Sequence, residues 1–333
     1  MQRFRAPRVG AFLLLVLLAI TQRAFAQTVD PFYSGSYSLV NLGAAPGVPT
    51  NYGGLAFKAG DSNTILLGGA ANSAGGLFYA VPVTRGVGNH IVSLGPATAL
   101  GFGTYNDGGI AYGPGGVLFY SEYSVNNVGE VKPASNSDDK TVALTPIGVA
   151  SSTGALNFVP AGYNGAGQFK IASYNSGGFY TVTLASDGSG TYDLTSATLE
   201  VTIAVGPEGF VYVPFGSPLF PSQSMLVSEY GNGEVASYAI DSGGNPVPAS
   251  RRTFVTGLSG AEGAAIDPLT GDFLFSTFGG GNQIIEVQGF QAPAPPPTSA
   301  PSAIPALSPW GVLAVALLVL SLGVSFVRTR RQR

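Results

Sequence analysis

Cysteine is absent from the 333 residues, and histidine occurs once, at His90. No disulfide framework, thiolate nucleophile or Cys-based zinc site can be built. Any Ser-His-Asp triad or imidazole-rich metal site would have to draw on that one ring. Charge is scarce as well, since Asp, Glu, Lys and Arg together make up 10% of the chain. Residues 27–290 show no helical periodicity of useful length. What is plentiful is glycine, with 48 residues, alongside 24 prolines. The 45% hydrophobic content is too high for a disordered chain.

The net charge of −3 averages over unlike pieces. Residues 1–26 carry Arg3, Arg5, Arg8 and Arg23 and no acid, while residues 291–333 carry Arg328, Arg330, Arg331 and Arg333 and no acid. Each end is therefore +4 and the stretch between is −11. An acidic body speaks against nucleic acid as a partner, because phosphates need clustered Lys and Arg.

The N-terminal end has the layout of a secretory signal peptide: a basic start, an apolar run from Val9 to Ile20, and Ala24-Phe25-Ala26 as the small-residue cleavage site. Residues 1–26 are expected to be removed by signal peptidase. At the other end, 291–303 is a Pro/Ala-rich linker that cannot pack. Trp310 to Val327 is an uncharged apolar run near the minimum for a spanning helix, and the Arg-rich tail follows at once. Basic residues stay cytoplasmic, so the body is expected outside the cytoplasm. Ile304, Pro305, Leu307, Ser308, Trp310 and Gly311, then the helix and Arg328, Arg330 and Arg331, resemble the IPTL-CTERM sorting signal of bacterial surface proteins. Ala306 and Pro309 replace the Thr and Glu of that pattern. The resemblance covers 304–333 and implies an exosortase-like sorting peptidase as a partner, with the protein at the cell surface or secreted after sorting.

The body, 27–290, is a repeat. Gly54-Leu55-Ala56-Phe57, Gly109-Ile110-Ala111-Tyr112, Ala155-Leu156-Asn157-Phe158, Gly209-Phe210-Val211-Tyr212 and Gly263-Ala264-Ala265-Ile266 recur at spacings near 50 residues. A turn and a second apolar strand follow each, and four repeats then show a small-x-aromatic step, as in Ser228-Glu229-Tyr230. Third and fourth strands complete the unit. Four strands per unit predicts an all-β fold, a β-propeller of five blades. A sixth blade is the alternative if 187–204 hides a hairpin, and a β-sandwich array is a third. The last unit lacks a fourth strand, and 36–43 resembles one, so the N-terminal segment is expected to close the ring. The motifs Gly260–Asp272 and Gly206-Pro207-Glu208-Gly209 resemble NHL and gluconolactonase/regucalcin-like propellers.

First strands line the axis of such a ring. Asp107, Glu208 and Glu262 stand at or just before first strands of three repeats, and Asn51 or Asn106 could add oxygen. An oxygen-only set suits Ca²⁺. The regucalcin-like resemblance implies a metal-ligand role for a Glu at the Glu208 and Glu262 position. The competing reading makes these carboxylates turn caps. His90 is expected on an outer strand, Asp267 and Asp272 in a turn, Glu122 and Glu229 beside hairpins, and 101–109 and 279–281 as turns. Three functions stay open: a non-catalytic binding module for a glycan or surface protein, a cation-dependent hydrolase or lactonase, and a structural component of surface matrix.

Overall fold

A computed structural model of the chain describes residues 27–203 and 206–293. The expected signal peptide, the linker beyond residue 293, and the sorting signal with its membrane helix lie outside the described residues. Among the described residues there is no α-helix, and no helix is long and apolar enough to cross a membrane.

The strands fall into five antiparallel sheets. Blade 1 runs from the axis outward as Leu55–Lys58, Asp61–Gly69, Leu77–Arg85 and Ile91–Leu94. Blade 2 is Asn106–Tyr112, Leu118–Glu122, Asn127–Val131 and Lys140–Ala143. Blade 3 is Thr153–Phe158, Phe169–Ser173, Gly178–Ser186 and Tyr192–Thr202. Blade 4 is Pro207–Tyr212, Ser224–Glu229, Glu234–Ala239 and Arg252–Thr256, with Thr28–Val29 added outside. Blade 5 is Ala261–Ile266, Phe273–Thr277 and Ile284–Gln288, completed by Ser38–Gly43. This is a five-bladed β-propeller. The described part of 187–204 holds the fourth strand of blade 3, so no sixth blade forms.

The N-terminal segment closes the ring, with Leu39 opposite Val287 and Asn41 opposite Ile285. Tyr33 and Tyr37 ahead of it pack edge-on against Phe254, at centroid distances of 4.9 and 5.4 Å. Those rings hold the segment to blade 4 before it pairs with blade 5.

One hydrophobic core sits between each pair of adjacent blades. In blade 1, Ile65 and Leu67 pack toward blade 5 while Leu66 packs toward blade 2. In blade 2, Phe119 packs toward blade 3 while Leu118 and Tyr120 pack toward blade 1. Such a strand has no solvent face, which is why second strands read as continuous apolar runs rather than alternating ones.

The repeated small residue has a packing reason. A Cβ built on Gly109 would lie 2.3 Å from the Leu156 backbone nitrogen, and one on Gly263 would lie 2.7 Å from the Gly54 Cα. The innermost strands touch backbone to backbone, and Gly54 N donates to the Asp107 carbonyl at 2.6 Å across the blade boundary. Gly109→Ala is expected to cost about 3 kcal/mol in urea denaturation, because backbone cannot yield as a side-chain end can. Gly35→Ala, with nothing within 4 Å of its Cβ, should stay within about 0.5 kcal/mol of wild type. A loss below about 1 kcal/mol at Gly109 would show that the axial strands part easily.

Candidate functional site

First strands begin, and second strands end, at the same end of the ring, here called the mouth. Asp107, Glu208 and Glu262 each occupy the second position of a first strand, in blades 2, 4 and 5. Their carboxylate oxygens lie within 4.8 Å of one another. They are almost wholly withdrawn from solvent, at 0%, 4% and 1% exposure. Glycines make the room: a Cβ on Gly108 would lie 2.9 Å from the Glu208 Cβ, and one on Gly154 would lie 2.7 Å from Glu208 Oε2. Blades 2 and 3 thus give up side chains where blade 4 needs space for its glutamate.

The cluster is short of donors. Asp107 Oδ2, Glu208 Oε2 and both Glu262 oxygens have no hydrogen-bond partner. The Asn72 amide, oriented to donate, reaches Asp107 Oδ1 at 2.9 Å. Burial pushes the Asp107 carboxyl up to about 7. Burial first, and then the Asp107 charge, push Glu208 well above the carboxylate range. Glu262 is pushed up likewise by burial, then by Glu208 and Asp107. Three carboxylates at such separations cannot all ionise in a dry site without a positive charge between them. No Lys, Arg or His of the described residues supplies it. Strand direction puts Lys58, Arg85, His90, Lys132, Lys140, Lys170 and Arg252 toward the far end of the ring, where first and third strands end and second and fourth strands begin, and the Arg251 guanidinium is taken up by Glu229 and Glu234.

Asn106 is fully buried with its Oδ1 unpartnered, whereas Asn51 turns its side chain to solvent. Asn106–Gly109 is not part of a turn as expected, but opens the innermost strand of blade 2, because the axis demands small residues in strands too.

The aromatics of the small-x-aromatic step form a second feature that repeat spacing alone does not interpret. Tyr123, Tyr174, Tyr230 and Phe278 come from blades 2 to 5 and meet edge to face in succession, at centroid distances of 5.6, 5.8 and 6.2 Å. Their interplanar angles of 83°, 80° and 67° are close to the turn between adjacent blades of a five-fold ring. Blade 1 places Ala70 there, so the collar is a horseshoe open on one side. Burial and the Glu208 charge raise the Tyr174 hydroxyl, and burial with Glu262, Glu208 and Asp107 raises that of Tyr230. Each collar residue directly follows a second strand, so the collar rims the same end of the ring as the carboxylates.

The remaining sequence candidates are structural. Glu229 receives Arg251 Nε at 3.0 Å, and Glu122 accepts from Asn127 at 3.1 Å. His90 immediately precedes the fourth strand of blade 1 and pairs with Asp272 of blade 5 at 2.5 Å. Asp267 keeps its turn role by accepting from Leu269 N at 2.9 Å, and it also pairs with Arg85.

The chain matches no protein-family model, and no curated protein is similar to it in sequence. Solved structures similar in chain path include a calcium structure of a Trichoderma reesei carbohydrate-active enzyme of family AA12, at 11% identity over 79% of this chain and 97% of that one, with a TM-score of 0.47. The holo form of the pyranose dehydrogenase PQQ domain from Coprinopsis cinerea matches at 8% identity over 79% and 97%, with a TM-score of 0.43. An auxiliary nutrient binding protein from Bacteroides ovatus matches at 9% identity over 76% of each chain, with a TM-score of 0.41. No residue or ligand is carried over from them.

Proposed function

We propose that the chain is a non-catalytic binding module, an exported and membrane-anchored propeller whose axial carboxylates Asp107, Glu208 and Glu262 hold a hard divalent cation, calcium in the first instance. The observation that carries this reading is the set of buried, unpartnered carboxylate oxygens with no cationic side chain beside them. Oxygen-only donors select calcium over softer metals. Below the cluster the touching innermost strands leave the mouth as the way in. Export and anchoring rest on the sequence of the two ends. Binding is favoured over hydrolysis because His90 and every lysine stand at the far end of the ring, and the mouth's other strand-end carboxylates, Glu122 and Glu229, are engaged by Asn127 and Arg251.

The test is calcium titration of the full-length chain, followed by thermal denaturation and calorimetry. Calcium at about 1,000 times its dissociation constant should stabilise the fold by about 4 kcal/mol. Glu262→Gln removes a charge and one carboxylate oxygen, and should weaken calcium by at least the roughly 10–100-fold typical of a lost outer-shell partner. No shift in melting temperature with millimolar calcium, in wild type or variant, would sink the reading.

A further inference from the structure

We infer that the seam between blades 1 and 5 holds a second metal site, in which His90, Asp272 and Glu286 bind zinc and staple the closed ring at its far end. It stands apart from the axial carboxylates and does not depend on them. Three observations carry it.

The first is convergence across the seam. His90 immediately precedes the fourth strand of blade 1, Asp272 immediately precedes the second strand of blade 5, and Glu286 lies in the third strand of blade 5. One donor atom from each lies within 4.8 Å of the other two. Donors on a tetrahedral zinc stand about 3.4 Å apart, so His90 Nδ1, at 2.5 Å from Asp272 Oδ2, must back away by about 1 Å. The imidazole is 36% exposed and has the freedom to do so.

The second is charge. Asp272 and Glu286 are 1% and 0% exposed, and no Lys or Arg of the described residues pairs with either. Arg85 crosses the same seam, but its five N–H groups already go to Asp267, Asn63 and the Ser62 and Asn89 carbonyls. Even with His90 protonated, two carboxylates in a dry seam keep a net negative charge. A divalent cation offsets it.

The third is the donor set and its support. One imidazole with two carboxylates suits zinc, whereas calcium takes oxygens alone. The Glu286 carboxylate is held in place, with Ile91 N donating to Oε1 at 3.2 Å and Gln288 Nε2 to Oε2 at 2.8 Å. Metal ligands are commonly oriented by such outer partners. Asp272 has His90 as its one side-chain partner among the described residues, and its Oδ1 accepts no hydrogen bond there. The exposed edge of His90 gives the metal its way in, and water takes the fourth position.

The experiment is calorimetric titration of the full-length chain with zinc in saturating calcium, with thermal denaturation and the visible spectrum of the cobalt(II) form as further readouts. One zinc should bind per chain and raise the melting temperature, and cobalt should show the absorption bands of a four-coordinate site. His90→Asn keeps an N–H donor for Asp272 but loses the imidazole. It should weaken zinc by more than about 100-fold and leave melting in EDTA and the calcium response unchanged, while Gln288→Ala should weaken zinc by about tenfold. If zinc binds wild type and His90→Asn alike, or is lost in Glu262→Gln, it sits elsewhere and the inference is overturned. If millimolar zinc does not bind at all, His90 and Asp272 form an ion pair and nothing more, which also overturns it. If calcium fails to bind while zinc binds and depends on His90, the axial reading falls and this one stands.

Discussion

Cation-free protein is expected to lose on the order of 4 kcal/mol of stability as the pH rises from about 4 to about 7, and calcium is expected to restore it. Asp107 accounts for the size of the effect. In the unfolded chain its carboxyl titrates near 3.9, whereas in the folded protein burial pushes it up to about 7. Between those values the folded state holds a proton that the unfolded state has released. The stability so contributed is fully present below the unfolded value and is lost as pH rises through the folded one. Glu208 is shifted the same way by burial and the Asp107 charge, and Glu262 by burial and the charges of Glu208 and Asp107, and both extend the loss upward. A bound cation inverts this, because it needs the carboxylates ionised and releases their protons, so calcium affinity should rise with pH. Urea denaturation at pH 5 and pH 8, with EDTA and with calcium, reads both effects. Glu130 is also pushed up to about 7 by burial, so the Asp107→Asn variant is needed to isolate the axial share. If EDTA-treated wild type gained stability between pH 5 and 8 relative to Asp107→Asn, the cluster would be ionised without a cation, and the electrostatic account of the site would be wrong.

The convergence of Asp107, Glu208 and Glu262 is legible from repeat phase alone. Gly54, Gly109, Ala155, Gly209 and Gly263 are small because innermost strands meet backbone to backbone, and this physical demand keeps the phase visible through otherwise divergent repeats. A residue one or two positions ahead of that small residue must then stand at the mouth, whatever the blade. Closure by Ser38–Gly43 is legible for a related reason, since a three-stranded last unit leaves an edge that a ring must cover. The collar is half legible. Its aromatic step recurs in the sequence, but edge-to-face contact between Tyr123, Tyr174, Tyr230 and Phe278 depends on how far apart adjacent blades hold them, and spacing along the chain does not carry that distance. Asn72 is opaque for another reason: blade 1 has no aromatic at Ala70, so the segment that reaches Asp107 lies where the repeat departs from its own pattern.

Least legible of all is the seam where the ring closes on itself, and here a single substitution should do the most damage. Arg85 ends the third strand of blade 1 and forks onto Asp267 of blade 5, with Nη1 at 2.7 Å from Oδ2 and Nη2 at 3.2 Å from Oδ1. Its other donors reach Asn63 Oδ1 at 2.9 Å, the Asn89 carbonyl at 2.6 Å and the Ser62 carbonyl at 2.5 Å. The two side chains are only 10% and 0% exposed, so solvent screens the pair weakly. Blade 5 takes its fourth strand from the far end of the chain, and nothing in the local sequence says that Arg85 will meet a residue 182 positions away. Arg85→Met is expected to cost about 3–5 kcal/mol, because it strands the Asp267 charge in a dry seam. Arg85→Lys should recover little of this, since an ammonium cannot supply the planar fork. The double variant Arg85→Met with Asp267→Asn should be more stable than Arg85→Met alone, because the uncompensated charge has gone with its partner. Denaturant unfolding of the four proteins decides the matter: a loss below about 1 kcal/mol for Arg85→Met would place the pair among ordinary surface ion pairs.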